Sequence, residues 1–408
     1  MSLDPAHAAL VRLVRDEGRR VLATLVRHVG DLQLAEDAVQ DATVRALETW
    51  RRDGVPDEPR AWLTVAARRR AIDLIRREAA RTGKEADAVE LHAAESPEPG
   101  EQQDLLRLVF TCCHPALAVE TQVALALRTL CGLSTAEVAR ALLVPEATMA
   151  KRLTRAKQKI ARAGIPYRVP DDHELPDRLR GVLATAYLLF NEGYGPTGAP
   201  RPALVDEAVR LTRLLRELMP GEASVLGLLA LELLLDSRRD ARHDADGRPV
   251  LLADQDRGRW RAQLVQEGVI LVGEGLRRSP DRPDPYVVQA AIAACHALAP
   301  RYAATDWDAV LSWYDVLLTV HDTPVVRLNR AVALGERDGV VAGLAAIDAL
   351  VGLEDYPLWH ASRAELLARS GRHAAAREAY DTALALPQDD AQRAHLRRRL
   401  SMTGRPPA

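Results

Sequence analysis

Apolar residues recur at helical spacing along almost the whole chain, and the turn signals between them stand too far apart for hairpins. The pattern predicts an all-α protein. In residues 59–79, Leu63, Ala67, Ala71, Leu74 and Ile75 fall at i, i+4, i+8, i+11 and i+12 and form one apolar stripe. Pro59 suits the first turn of that helix, where its missing N–H forfeits no bond, and Arg69 and Arg76 then point away from the core. A second amphipathic helix follows Pro145. Met149, Ala150, Leu153, Ala156 and Ile160 share one side of it, while Thr148, Lys151, Arg155, Gln158 and Lys159 occupy the other with Arg152 beside them. A shorter helix precedes it, capped by Ser134 with Glu137 three residues on as a capping box, and a brief turn through Leu143, Val144 and Pro145 joins the two. The longest apolar run, Val225 to Leu235, is about half the ~20 residues a membrane span needs and contains Glu232, so it reads as a buried helix.

Towards the C-terminus the pattern repeats. Gly371, Ala376, Tyr380, Ala383, Leu384 and Leu386 match the second half of a tetratricopeptide repeat, in which small residues let two helices pack closely. Ala342, Ala346, Ala349 and Leu350 recur 34 residues earlier, and Ala309, Trp313, Val316 and Leu317 another 33 before that. Stacked helix pairs of this period build an α-solenoid whose concave face suits peptides or protein partners. Two stretches interrupt the periodicity. Residues 85–100 are acidic and rich in Pro and Gly, as a solvated linker is, and a seam rich in Pro and Asp runs from Gly164 to Pro176. The expected domains are therefore residues 1–84, 101–165 and 178–408, with linkers at 85–100 and 166–177.

The length of 408 residues accommodates several such cores. With 48% hydrophobic and 4% aromatic residues the chain is neither disordered nor rich in strand formers. No basic stretch followed by an apolar run opens the sequence as a secretory signal would. The four cysteines, Cys112, Cys113, Cys131 and Cys295, form neither a disulfide framework nor a C-x-x-C pair, which favours a reducing cytoplasm. Cys112, Cys113 and His114 carry metal-ligating atoms. However, adjacent cysteines reach one ion poorly and no second pair stands at zinc spacing, so a helix end in apolar surroundings is the expected role and no metal or other cofactor is implied.

Taken alone, the formal net charge of −2 argues against a nucleic-acid partner. Resolved along the chain it does not. Residues 60–84 hold eight basic residues against Asp73 and Glu78, a net of +6, and residues 145–162 hold six against Glu146, a net of +5. The part of the chain after residue 165 is at −4, with no comparable basic cluster. Two basic amphipathic helices, the second in a helix-turn-helix setting, are suited to dock by the apolar side and present cations to phosphates and base edges. A solvated charged face and a plain helical hairpin are the alternatives. No paired catalytic carboxylates, nucleophile with a base, or phosphate-binding glycine loop stands out, so no enzyme is expected.

The order and content of these segments resemble the group IV, or extracytoplasmic-function, sigma factors of bacterial RNA polymerase. Leu34 to Leu47, with an acidic pair followed by Val39, Gln40 and Asp41, is similar to the family's core-binding helix. By that resemblance Glu36, Asp37, Gln40 and Asp41 face the clamp helices of the largest polymerase subunit. Residues 59–77 resemble the helix that reads and melts the −10 element, which implies roles for Arg60, Trp62, Arg69, Arg70 and Arg76. Trp50 and Trp62 could stack on a base flipped into the loop at 51–58, although core packing explains a tryptophan as well. Gly132 to Ser134 and Arg152 to Ala156 resemble the −35-reading domain, implying Thr148, Lys151, Arg152, Arg155, Gln158 and Lys159 as its DNA contacts; where the family usually has Gly in the turn, this chain has Leu143. Phe110 to Pro115 and Leu189 to Gly195 are similar to signatures of the subgroup with a long C-terminal extension. In the latter, Gly193 and Gly195 read as a helix stop, and Asn191, Glu192 and Tyr194 are a candidate ligand or partner site with structural packing as the alternative. The subgroup implies regulation by the extension rather than by a membrane-bound anti-sigma factor, and a small YCII-like protein as a candidate partner. The competing readings are a helix-turn-helix regulator with an effector-binding repeat domain, and a repeat scaffold that does not bind DNA.

Overall fold

In the computed structural model, residues 5–82, 101–142, 144–194, 201–245, 247–386 and 390–403 are described. The expected linker at 85–100, Leu143 of the turn and Gly195 of the second signature lie outside them. The described residues are helical, and the isolated bridge between His243 and Pro249 is the one β-type pairing among them. The chain divides into two compact units, Met1–Leu189 and Phe190–Ala408.

The first unit opens with α1 (Pro5–Val29), α2 (Leu32–Asp53) and α3 (Pro59–Thr82), which pack on one another. Gly30 turns the chain at a φ of 74° and Asp31 caps α2, its Oδ1 accepting from Leu34 N at 3.0 Å. Leu32, Ala35, Ala38, Ala42, Ala46 and Trp50 form the buried side of α2. On α3, Leu63, Ala67 and Ala71 are buried and Leu74 and Ile75 half-buried, as the apolar stripe predicts. Next come α4 (Glu101–Cys112), which lies against α1, and α5 (Val119–Leu125), which runs into a π-helical turn at Ala126–Leu130. Gly132, at a φ of 74°, then lets the chain enter α6 (Thr135–Ala141) and α7 (Glu146–Arg162). The seam after α7 is held down: Tyr167 Oη lies 2.9 Å from the Ala23 carbonyl and 3.0 Å from the Asp104 carbonyl, its one hydrogen shared between them. Helix α8 (Leu175–Tyr194) follows, and the division between units falls within it.

The second unit continues with α9 (Pro202–Leu218), α10 (Ala223–Asp236) and α11 (Ala262–Arg278). The apolar run around Glu232 is indeed a buried helix, α10, and the Glu232 carboxyl accepts from Thr212 Oγ1 at 3.1 Å. Burial pushes that carboxyl well above the usual carboxylate range. Three helix pairs then coincide with the sequence repeat: α12 (Pro285–Leu298) with α13 (Trp307–Val320), α14 (Pro324–Asp338) with α15 (Val340–Asp348), and α16 (Pro357–Arg369) with α17 (His373–Ala385). The repeated small residues fall on the second helix of each pair. Ala376, Tyr380 and Ala383 are buried on α17 against Ala364, Leu366 and Leu367 of α16, and α18 (Asp390–Met402) adds Leu396 to the same core. Ala349 departs from the pattern: it lies at the exposed end of α15.

Close approach is also required between α14 and α15, where a β-carbon on Gly343 would come 2.7 Å from the Cα of Gly335. Because that neighbour is backbone, it cannot swing aside. Gly343→Val should therefore destabilise the protein by about 1–3 kcal/mol, read as a lower urea midpoint by circular dichroism. Gly273→Ala is the contrasting case, since its β-carbon meets only the flexible end of Arg277 at 3.5 Å, and should be neutral or stabilising by up to ~1 kcal/mol.

Candidate nucleic-acid interface

The helix-turn-helix is assembled from local signals. Ser134 N donates to Glu137 Oε2 at 2.7 Å and Glu137 N to Ser134 Oγ at 3.2 Å, completing the capping box of α6. Val144 N returns to the Ala139 carbonyl at 2.9 Å, closing the turn into α7. On α7, Met149, Leu153, Ala156 and Ile160 are buried, one residue per turn. Thr148, Lys151, Arg155, Gln158 and Lys159 are exposed and Arg152 is half-buried, so the polar side is presented as its pattern predicts. Ala150 is the exception. Expected on the apolar side, it is exposed, because the buried stripe is narrower than the set of apolar residues. Lys159 also donates to the Ala116 carbonyl, which ties the distal end of α7 to the segment before α5.

On α3, Arg69 and Arg76 are exposed. The other residues singled out there have local partners. Arg60 lies 3.5 Å from Glu17, and Arg70 Nε donates to Asp41 Oδ2 at 2.6 Å. Trp62 packs edge-on against buried Trp50, with ring centroids 5.7 Å apart, in a cluster with Leu10 and Ala46. Trp50 is thus a core residue, and Trp62 is half-buried at the rim of that cluster.

On α2, Asp37, Gln40 and Asp41 are exposed. Asp37 accepts from Gln33 Nε2 at 2.9 Å, and Asp41 holds Arg70. Such surface pairs contribute only about 0–1 kcal/mol and exchange readily for an incoming partner. Glu36 differs: it lies inside a contact between α2 and α7, paired with Lys157 and accepting from Thr129 Oγ1 at 3.3 Å. Lys157 was missed by pattern alone. It sits between the apolar and polar sides of α7, where spacing marks neither a core residue nor a DNA contact.

The two signature segments are absorbed by packing. At the end of α4, Phe110, Cys112 and Cys113 are buried, and Arg178 donates to the Phe110 carbonyl at 2.7 Å. Burial pushes the Cys113 thiol up to about 12 and the Cys112 thiol well above its ordinary value. No group of three or more His, Cys, Asp or Glu residues suited to a metal ion occurs among the described residues. In α8, Phe190 stacks on Tyr194 at 5.3 Å, and the Arg242 guanidinium lies 3.6 Å from the centre of the Tyr194 ring while donating to the Tyr194 carbonyl at 2.6 Å. Arg238 Nε reaches the Tyr194 hydroxyl at 3.0 Å. Glu192 pairs with Arg201, and Asn191 is half-buried. Gly193 is the penultimate residue of α8, and a β-carbon there would fall 2.6 Å from Val205 N, so glycine is needed for α9 to approach.

The comparisons with known proteins agree with this geometry. Residues 13–81 match sigma-70 region 2, residues 107–160 match sigma-70 region 4, and residues 178–275 match a family of unknown function, DUF6596. A Rhizobium meliloti (strain 1021) protein described as uncharacterized, R00370, is 42% identical over 401 residues, covering 95% of this chain and 94% of its own length. The chain belongs to the extracytoplasmic-function sigma factors of the sigma-70 family, in a form that carries a C-terminal extension. Sigma factors are transcription-initiation factors that recognise promoters as part of RNA polymerase, and they are not enzymes. No helix among the described residues is long and apolar enough to cross a membrane.

Buried, protonated thiols have little reactivity, since the thiolate is the nucleophile. Iodoacetamide at pH 8 should therefore label half-buried Cys295 well before Cys112 or Cys113, with those two reacting only after urea unfolding, as followed by peptide mass.

Proposed function

We propose that the protein directs core polymerase to its promoters in the cytoplasm through a division of labour among three domains, at 1–84, 101–165 and 178–408. The exposed edge of α2, with Asp37, Gln40 and Asp41 and with Glu36 beside them, engages the clamp helices of the largest subunit; an acidic and amide edge suits a basic coiled-coil partner. Residues 50–77 read the −10 element through Arg69 and Arg76, exposed cations of α3, with Arg60, Arg70 and the rim residue Trp62 beside them. Residues 146–160 read the −35 element through Thr148, Lys151, Arg152, Arg155, Gln158 and Lys159. The observation that carries the reading is α7 itself: one side wholly buried, the other polar and basic, directly after a short capped helix. The helix pairs of 178–408 regulate this activity by holding a peptide or a small protein, for which a YCII-like protein is the candidate. Asn191 and Glu192, at the end of α8, are the residues of the second signature that remain available to such a partner.

Run-off transcription with purified core polymerase and a promoter library tests the reading. New transcripts should start only when this protein is added; their absence, together with tight duplex binding by the protein alone, would assign it instead to the helix-turn-helix regulators. Arg155→Ala and Lys151→Ala should each reduce transcription from −35-dependent promoters by about tenfold, at ~1–3 kcal/mol per lost contact, and leave core binding unchanged.

A further inference from the structure

Around α9 to α11, arginines face carboxylates: Arg210 pairs with Glu207, Arg213 with Glu267, Arg239 with Asp206 and Asp236, and Arg261 with Asp236 and Asp240. Arg238 and Arg257 are held otherwise. Arg238 Nε donates to the Tyr194 hydroxyl at 3.0 Å. Arg257 Nη1 donates to the carbonyls of His296 and, at 3.0 Å, of Ala299 at the end of α12, and its guanidinium lies 4.4 Å from the centre of the Trp260 ring. Among the described residues no carboxylate pairs with either arginine, so positive charge is in surplus here. Burial, reinforced by Arg238 and Arg257, accordingly pushes the nearby His296 imidazole down to about 4.

Two donors at the same place make no hydrogen bond. Arg257 Nη2 and Trp260 Nε1 are buried, and neither has a partner among the described residues. An N–H removed from water without an acceptor forfeits its hydration for nothing, so each is a reason to look for an acceptor. Both side chains line a cavity of about 670 Å³ formed by the short 3-10 turn Arg257–Arg259, the first half of α11 and the end of α12. Its wall is otherwise mainly apolar, with Val265, Val269, Ile270 and Leu298, and Ile270 and Leu298 are exposed. A cavity of this size takes a small molecule rather than a helix or a strand. Cationic and N–H donors on an apolar wall call for acceptor oxygens that carry negative charge on an apolar body. Two unused donors match the two oxygens of a carboxylate, whereas a phosphate dianion would turn further charged oxygens towards apolar side chains.

We propose that this cavity binds a small amphipathic organic carboxylate, whose oxygens accept from Arg257 Nη2 and Trp260 Nε1 and whose apolar body lies along Val265, Val269, Ile270 and Leu298. Neither N–H meets solvent in this state, so the two side chains turn towards the acid as it enters, while Arg257 Nη1 keeps its hold on the end of α12. The bound acid joins α11, which the DUF6596 match reaches, to α12 of the first repeat pair. This ligand is distinct from the protein or peptide partner of the helix pairs, and its binding is testable without polymerase.

Decanoate is the probe, titrated into the full-length chain by calorimetry, with decanol, decylammonium and decyl phosphate as neutral, cationic and phosphate counterparts. Decanoate should bind saturably, and decanol and decylammonium about tenfold more weakly or worse. Trp260→Phe keeps a ring beneath the guanidinium and removes only the N–H; it should weaken decanoate about tenfold and leave decanol unchanged. Arg257→Met should weaken decanoate by at least about tenfold and remove its preference over decanol. Ile270→Glu, which sets a like charge at the exposed rim, should also weaken it, whereas Arg327→Met, on exposed α14 surface away from the cavity, should bind as the parent does. In nitrogen–proton correlation spectra the Trp260 indole resonance, assigned by its loss in Trp260→Phe, should move downfield with decanoate and not with decanol. Circular dichroism checks folding, and because Arg257 also caps α12, Trp260→Phe and Ile270→Glu decide the matter if Arg257→Met unfolds. No saturable decanoate binding at millimolar concentration, equal affinity for decanol, or full decanoate affinity in Trp260→Phe overturns the site. Binding of decyl phosphate without decanoate overturns the choice of a carboxylate.

Discussion

Ala35, Ala38, Ala42 and Ala46 give α2 a flat side, and α3 lies against it with Ala67 and Ala71 buried. Between such flat sides, helices gain dispersion contacts by coming close rather than by interleaving bulky groups. The same device recurs elsewhere: Gly335 against Gly343, Gly193 against the start of α9, and the alanines of α17 against α16. Narrow apolar sides have a second consequence. They leave most of each helix surface for charge, which is how α3 and α7 hold dense cations without losing their seats.

Buried polar groups then divide into those that lie within one matched segment and those that join two. Tyr194 belongs to the first kind, its ring, hydroxyl and carbonyl each engaged by an arginine within the second unit. Glu232 belongs there too: it accepts from Thr212 Oγ1, and burial pushes its carboxyl well above the usual carboxylate range. Glu36 with Lys157 and Arg27 with Asp104 belong to the second kind, because each pair links helices matching different sigma-70 regions or flanking them.

The helix-turn-helix was legible in detail because its determinants are local: a capping box, one residue per turn on the buried side, cations on the other. The three helix pairs were legible for the same reason, as a period of 33 to 34 in small residues. The two signature segments were harder to interpret. Cys112 and Cys113 look like ligands and are core residues, and the Asn-Glu-Gly-Tyr run of α8 looks like a site although Gly193 and Tyr194 serve packing. Chemistry-bearing side chains announce their type in a sequence but not their surroundings.

What the sequence determined by itself was the helical class, the two basic helices, which of their residues face out, and the repeat. These depend on contacts within a few turns or on a fixed period. Only the tertiary structure decided that Glu36 is spoken for, that Lys157 is its partner, and that Tyr167 fastens the chain between Ala23 and Asp104. Those contacts join residues 121, 144 and 63 positions apart, and neither helical periodicity nor charge clustering carries information over such separations.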